Sequence, residues 1–195
     1  LIAMGMRFDD RVTGDLNRYA KQAKIIHFEI DPAEVNKNVY ADVAVMGNIK
    51  STLPLVIEKV KNNHHEDWLK IFKEHDEIEY QKVIQKEIYP TKEQLTMGEV
   101  IHAINEETNG DAIIVTDVGQ HQMVACRYAK FTQSKSNITS GGLGTMGFAL
   151  PAALGAKMGA PEREVVAIIG DGGYQMTIQE LGTIFQTGAA VKIVV

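Results

Sequence analysis

The sequence predicts an α/β protein: a parallel-sheet domain over residues 95–195, preceded by half of a Rossmann-like domain over residues 1–62. Three observations carry this. Val165-Val166-Ala167-Ile168-Ile169 runs without a charge into Gly170-Asp171-Gly172-Gly173, and an unbroken β-branched run suits a strand buried on both faces of a parallel sheet. From Thr96 onward, such strands alternate with stretches of helical periodicity, the pattern of right-handed crossovers. Residues 1–62 hold three more short apolar strands, each closed by a Gly or Asp turn.

The composition is that of an ordinary folded protein. Hydrophobic residues make up 45% and charged residues 23%, enough apolar material for a core in a chain of domain size. A net charge of −5 without a Lys/Arg cluster excludes a nucleic-acid surface from the expectations. No apolar stretch reaches the length of a membrane span. The single cysteine, Cys126, fits a reducing, cytoplasmic location and reads as a small apolar filler. Leu1–Gly5 reads as a buried strand and Val191–Val195 as another, so the chain is expected to be a segment of a longer polypeptide.

In order, the opening strand leads into Arg7-Phe8-Asp9-Asp10-Arg11-Val12-Thr13-Gly14, a loop that by itself reads as surface ion pairs. A second strand, Lys24–Ile30, stops at Asp31-Pro32, where proline's fixed φ favours a new turn. A third, Val43–Met46, ends at Gly47-Asn48, and Ser51 is the expected cap of the helix carrying Leu55, Val56 and Val60. No GxGxxG occurs here, so a dinucleotide fingerprint is absent. Residues 63–94 change character. Fourteen charged side chains lie between Lys61 and Glu93, with Trp68, Ile71, Phe72 and Ile78 at helical spacing. This predicts an exposed amphipathic linker helix ended by Tyr89-Pro90. His64, His65 and His75 read as solvated residues of that linker.

Beyond it, Thr96 and Glu99 have capping-box spacing, and Asn109-Gly110 closes the helix they begin. The strand Ala112–Thr116 runs into Asp117-Val118-Gly119-Gln120-His121-Gln122-Met123. Asn137–Thr139 opens onto Ser140-Gly141-Gly142-Leu143-Gly144-Thr145-Met146-Gly147, and a helix of small residues (Ala149, Ala152, Ala153, Gly155, Ala156) follows. After the Gly170–Gly173 turn, Thr177 and Glu180 have capping-box spacing for the helix of Ile178, Leu181, Ile184 and Phe185. Alone, the Gly/Asp turn reads equally as a tight strand-to-helix turn with a solvated aspartate and as a cradle for a phosphate and Mg²⁺. Three polar or Gly-rich loops at three strand ends favour a phosphate-bearing cofactor.

These loops carry a family resemblance. Val118–Met123, Gly141–Phe148, Gly170-Asp171-Gly172 and the Arg7–Gly14 loop together closely resemble the large, catalytic subunits of the acetolactate synthase family, within the thiamine-diphosphate superfamily. The resemblance implies that residues 95–195 form a thiamine-diphosphate-binding domain, with Asp171 as ligand of Mg²⁺ and Gly170, Gly172 and Gly173 giving the diphosphate close approach. Val118, Gly119, Gln120 and His121 would line the diphosphate. Gly144 and Met146 would meet the aminopyrimidine, although Met146 by itself reads as a core filler. In the first domain, Gly5, Met6, Arg7, Asp9, Arg11, Val12, Glu29, Ile30, Asp31, Gly47 and Asn48 would contact a structural FAD.

The implied activity is decarboxylation of pyruvate on thiamine diphosphate. The two-carbon unit then condenses with a second 2-keto acid, pyruvate or 2-ketobutyrate, in branched-chain amino-acid biosynthesis. The implied partners are a second catalytic subunit, in a homodimer, and a small regulatory subunit. The activating glutamate and a second metal ligand, an Asn, would lie outside these residues, so the segment alone is expected to be inactive. Glyoxylate carboligase, pyruvate oxidase and a non-catalytic isolated domain are the alternatives, and the Arg7–Gly14 loop argues against the first two.

Overall fold

The computed structural model describes residues 1–91 and 94–195; Lys92 and Glu93, the end of the predicted linker, lie outside the described residues. The chain divides into two compact units, residues 1–65 and 66–195. Among the described residues, each unit holds one sheet, and every recorded strand pair is parallel.

The first unit is a three-stranded sheet in the order β1 (Ile2–Met4), β2 (Ile26–Glu29), β3 (Val43–Met46). Its small core gathers Ala3, Phe8, Ile25 and Ala41, with Met6 and Tyr19 packed against it. The opening strand is not buried as predicted. Only Ala3 is enclosed, while Ile2 and Met4 are 61% and 50% exposed, because β1 is an edge strand whose alternate side chains face away from that core. Asp9 caps the single turn α1 (Asp10–Thr13) by accepting the Arg11 N–H. Asn48, not Ser51, caps α2 (Ile49–Ile57), accepting the Lys50 N–H at 3.0 Å. Asn48 directly follows the β3 turn in extended backbone, so it reaches the free amides before Ser51, already inside the helix, can do so.

The second unit begins with the predicted amphipathic helix, seen as α3 (Glu66–Glu79), a π-helical turn over Tyr80–Ile84, and α4 (Gln85–Ile88). Trp68 and Phe72 stack edge to face at 4.6 Å between centroids on its exposed part. Further on, Ile84 and Ile88 pack into the core of the second unit, and Glu87 accepts the Tyr128 hydroxyl proton at 2.6 Å. Helix α5 (Met97–Thr108) is capped as its sequence requires. Thr96 Oγ1 accepts the Glu99 N–H at 3.1 Å, and Asn109 ends the helix in the left-handed region. Replacing Thr96 by alanine is expected to cost about 1 kcal/mol, read as a lower urea midpoint; an unchanged midpoint would contradict this role.

The sheet of the second unit has the order β5 (Asn137–Ile138), β4 (Ile113–Thr116), β6 (Val165–Ile168), β7 (Val191–Val194). Strands β4 and β6 are buried along their whole length, which is why they read as continuous apolar runs. Helix α6 (Gln120–Tyr128) joins Ile101, Ala112, Ile114, Val166 and Ile168 on one face through Ala125 and Tyr128. On the other face lies α7 (Ala149–Gly159), where Ala149, Leu150 and Ala153 are fully enclosed against Val115, Val165 and Ala167. Its small side chains allow this close approach.

Two local expectations fail here. Thr177 does not open a helix: α8 (Asp171–Met176) starts at the aspartate itself, and Thr177 closes it. Its hydroxyl turns back toward the Gly173 carbonyl at 3.4 Å, leaving α9 (Glu180–Thr187) without a side-chain cap. Cys126 is exposed rather than a core filler, because Ala125 and Tyr128 take the buried positions of α6.

Candidate functional site

All strands of the second sheet point the same way, so the residues after β4, β5 and β6 leave from one edge, where open parallel sheets take ligands. The β4 and β6 ends are adjacent, with Thr116 opposite Ile168. The three predicted loops are therefore brought together, and one residue joins them. Asp117, 1% exposed, accepts the Gly147 N–H on Oδ2 and the Ala149 N–H on Oδ1, both at 3.1 Å. A Cβ on Gly173 would overlap that same Oδ2. The carboxylate thus packs at once against the loop before α7 and the turn after β6.

His121 makes the second link. Its ring lies beneath the β4 and β6 turns: a Cβ on Gly119 would stand 2.9 Å from Cε1 and a Cβ on Gly170 3.1 Å from it. Gly119 also has φ +150°, so a side chain there is excluded by backbone and by space. His121 Nε2 is buried without a hydrogen-bond partner among the described residues. Burial lowers the His121 pKa below 6.5, opposed by the Asp117 carboxylate, which raises it. An unfolded chain then binds more protons than the folded one just below pH 6.5, so this group withdraws stability as the pH falls and none above it. His121→Gln is expected to flatten the stability profile between about pH 5 and 7, followed by urea unfolding; an equal slope in both proteins would contradict it.

Asp171 is the first residue of α8, exposed and without a recorded ion pair. Met146 leaves the core, is 48% exposed, and bends its terminal methyl over the turn, where a Cβ on Gly172 would meet it at 3.1 Å. Gly144 ends the 3₁₀ turn Gly141–Leu143 in the left-handed region. Gln122 donates to Thr139 Oγ1 at 2.8 Å, tying the first loop to the second. Val118 is half-buried, and Gln120 is exposed at the start of α6. The stretches 117–123, 139–149 and 169–177 contain no Lys or Arg.

In the first unit, Gly5, Glu29, Ile30, Gly47 and Asn48 line one cavity of about 230 Å³ at the strand ends. Glu29 Oε1 accepts the Ile30 and Asp31 N–H groups at 2.8 and 3.1 Å. The other predicted residues are not brought to it. Met6 packs into the core, and Arg7 pairs with Asp9 at 3.6 Å in an exposed contact. Asp31 accepts the Ala33 N–H, and Arg11 and Val12 are exposed on the α1 turn.

Asp117 and His27 are the residues that sequence reasoning passed over. An aspartate directly after an apolar strand signals Asp117, since such a carboxylate needs donors. His27, fully buried 3.6 Å from Glu29, carried no signal beyond a polar residue inside a strand. No group of three or more His, Cys, Asp or Glu side chains able to hold a metal occurs among the described residues. No described helix is long and apolar enough to cross a membrane.

Two family models cover most of the chain: the thiamine pyrophosphate enzyme central domain matches residues 1–56, and the thiamine pyrophosphate enzyme C-terminal TPP binding domain matches residues 117–195. The chain belongs to the thiamine pyrophosphate enzymes. Within them it is similar to acetolactate synthase large subunits. It is 43% identical over 199 residues to that of Mycobacterium tuberculosis, covering 99% of this chain and 32% of the relative. It is 42% identical to the subunit of Lactococcus lactis (100% and 33%) and 41% identical to the isozyme 3 large subunit of Escherichia coli (100% and 34%). The chain spans about a third of the length of these curated relatives.

Proposed function

We propose that this chain is the cofactor-holding part of an acetolactate synthase large subunit, in which thiamine diphosphate is bound at the loops after β4, β5 and β6. The observation that carries this reading is the meeting of three glycine-bearing loops at one sheet edge, with the exposed Asp171 carboxylate and no basic side chain among them. A diphosphate facing Asp171 without Lys or Arg needs a divalent cation between. Asp171 is the available ligand, and Mg²⁺ is suited to it because that ion takes one or two carboxylates and completes its shell with phosphate oxygens and water. The unpartnered His121 Nε2 and the amides about Gly119 and Gly172 would supply the neutral contacts, and Met146 would meet the cofactor's rings. Bound thiamine diphosphate would supply the electron sink that lets a 2-keto acid lose CO₂. The chain's own residues would bind and orient it, and the Asp171-held cation would offset its charge.

The substrates on this reading are pyruvate and a second 2-keto acid, pyruvate or 2-ketobutyrate. One part of FAD would enter the cavity lined by Gly5, Glu29, Ile30, Gly47 and Asn48, with no net redox role. The working form would be a homodimer in the cytoplasm with a small regulatory subunit. The test is to titrate the full-length protein calorimetrically with thiamine diphosphate, with Mg²⁺ and then with the metal chelated, and to assay acetolactate formed from pyruvate. Saturable binding that disappears on chelation, together with acetolactate, is expected. Binding indifferent to metal, or turnover of no 2-keto acid, would overturn the reading.

A further inference from the structure

Asp117 is a buried carboxylate in a place where negative charge works against the anion the site is built to hold. Its two oxygens are committed to two backbone donors, Gly147 and Ala149, 30 and 32 residues away. Ala149 is the first residue of α7, so its amide and that of Gly147 are already taken by the protein's own carboxylate. They are closed to the diphosphate. The same Oδ2 fills the space a side chain on Gly173 would need. On one side of the carboxylate, then, stands Gly147, directly after Met146. On the other stands Gly173, two residues after Asp171.

We propose that Asp117 is the positioning residue of the cradle: its carboxylate sets the spacing between Met146 and Asp171, and so between the groups that meet the two ends of the cofactor. This rests on the cofactor reading above. Such a residue touches no ligand and acts through the two loops it joins. The charge is kept because a neutral amide cannot accept from both N–H groups. In Asp117→Asn one of the two donors faces an NH₂ group, and the Gly147–Ala149 segment is released on that side.

The experiment uses the full-length protein and thiamine diphosphate with Mg²⁺ as the probe. Asp117→Asn is expected to weaken cofactor binding by about tenfold or more, with the melting temperature of the cofactor-free protein within a degree or two of the parent. Binding equal to the parent would overturn the proposal, and so would weakened binding matched by an equally deep loss of thermal stability, which marks a role in folding alone. A second pair of variants tests the contact itself. Gly173→Ala in the parent forces its methyl into Oδ2 and is expected to abolish binding. In the Asp117→Ala background the space is open, and the same substitution is expected to add less than about a threefold effect, a strong coupling between neighbours. Full additivity would overturn the proposal. If the parent protein itself fails to bind thiamine diphosphate, the cofactor reading has failed instead.

Discussion

Replacing Asp171 by alanine in the full-length protein is expected to abolish Mg²⁺-dependent binding of thiamine diphosphate. Among the described residues no cluster offers a substitute metal site, and the three loops contain no Lys or Arg to take over the charge. Removing a group that only orients a metal ligand already costs about 10–100-fold in affinity; removing the ligand itself is expected to exceed that. Asp171→Asn keeps the shape and one oxygen but not the charge, so it should fall between. Because Asp171 is exposed and bonds to no core group, neither change should alter the unfolding free energy of the cofactor-free protein, read by urea, by more than about 0.5 kcal/mol. Calorimetry with and without metal reads the first effect. An alanine variant that still binds with a metal requirement would show that the carboxylate is only a solvated turn residue.

The largest loss of stability is expected at Leu150. It is fully enclosed in the cluster where α7 meets Val115, Val165 and Ala167. Cutting it to alanine removes buried methyl groups and leaves a hole between a helix and the two central strands, which are held by backbone bonds and cannot close on it. A cost of about 2–5 kcal/mol follows. Leu150 follows Ala149, whose N–H bonds to Asp117, so cofactor affinity should fall together with stability. Urea unfolding of the full-length protein measures this. A loss below about 1 kcal/mol would mean that α7 settles inward and that its packing is looser than the buried positions imply.

Much of this was legible in the sequence because the signals were local. Val165–Ile169 and Gly170–Gly173 name a buried strand and a strand-to-helix turn, and both are present. Thr96 and Asn109 bound α5 as their chemistry requires. Where two residues competed for one task, local spacing misled. Asn48 stands ahead of Ser51 and caps α2. Thr177 closes a helix that the aspartate had already begun. Edge exposure of Ile2 and Met4 could not be read from an apolar run, since burial depends on which neighbours the sheet supplies. The linking role of Asp117 is not visible in the sequence, because its partners at Gly147, Ala149 and Gly173 are distant along the chain. The resemblance to a family supplied the cofactor; the residue that joins the three loops came only from coordinates.

Parallel pairing of β4 with β6 brings residues 113–116 against 165–168, with β5 and α7 made in between. During synthesis, at about 5–20 residues per second, Asp117 emerges several seconds before the glycine it must abut. A nascent chain stopped short of Gly173 therefore has half a vice and no jaw to close. On the proposed reading, loading of the cofactor would be deferred until translation has passed that point.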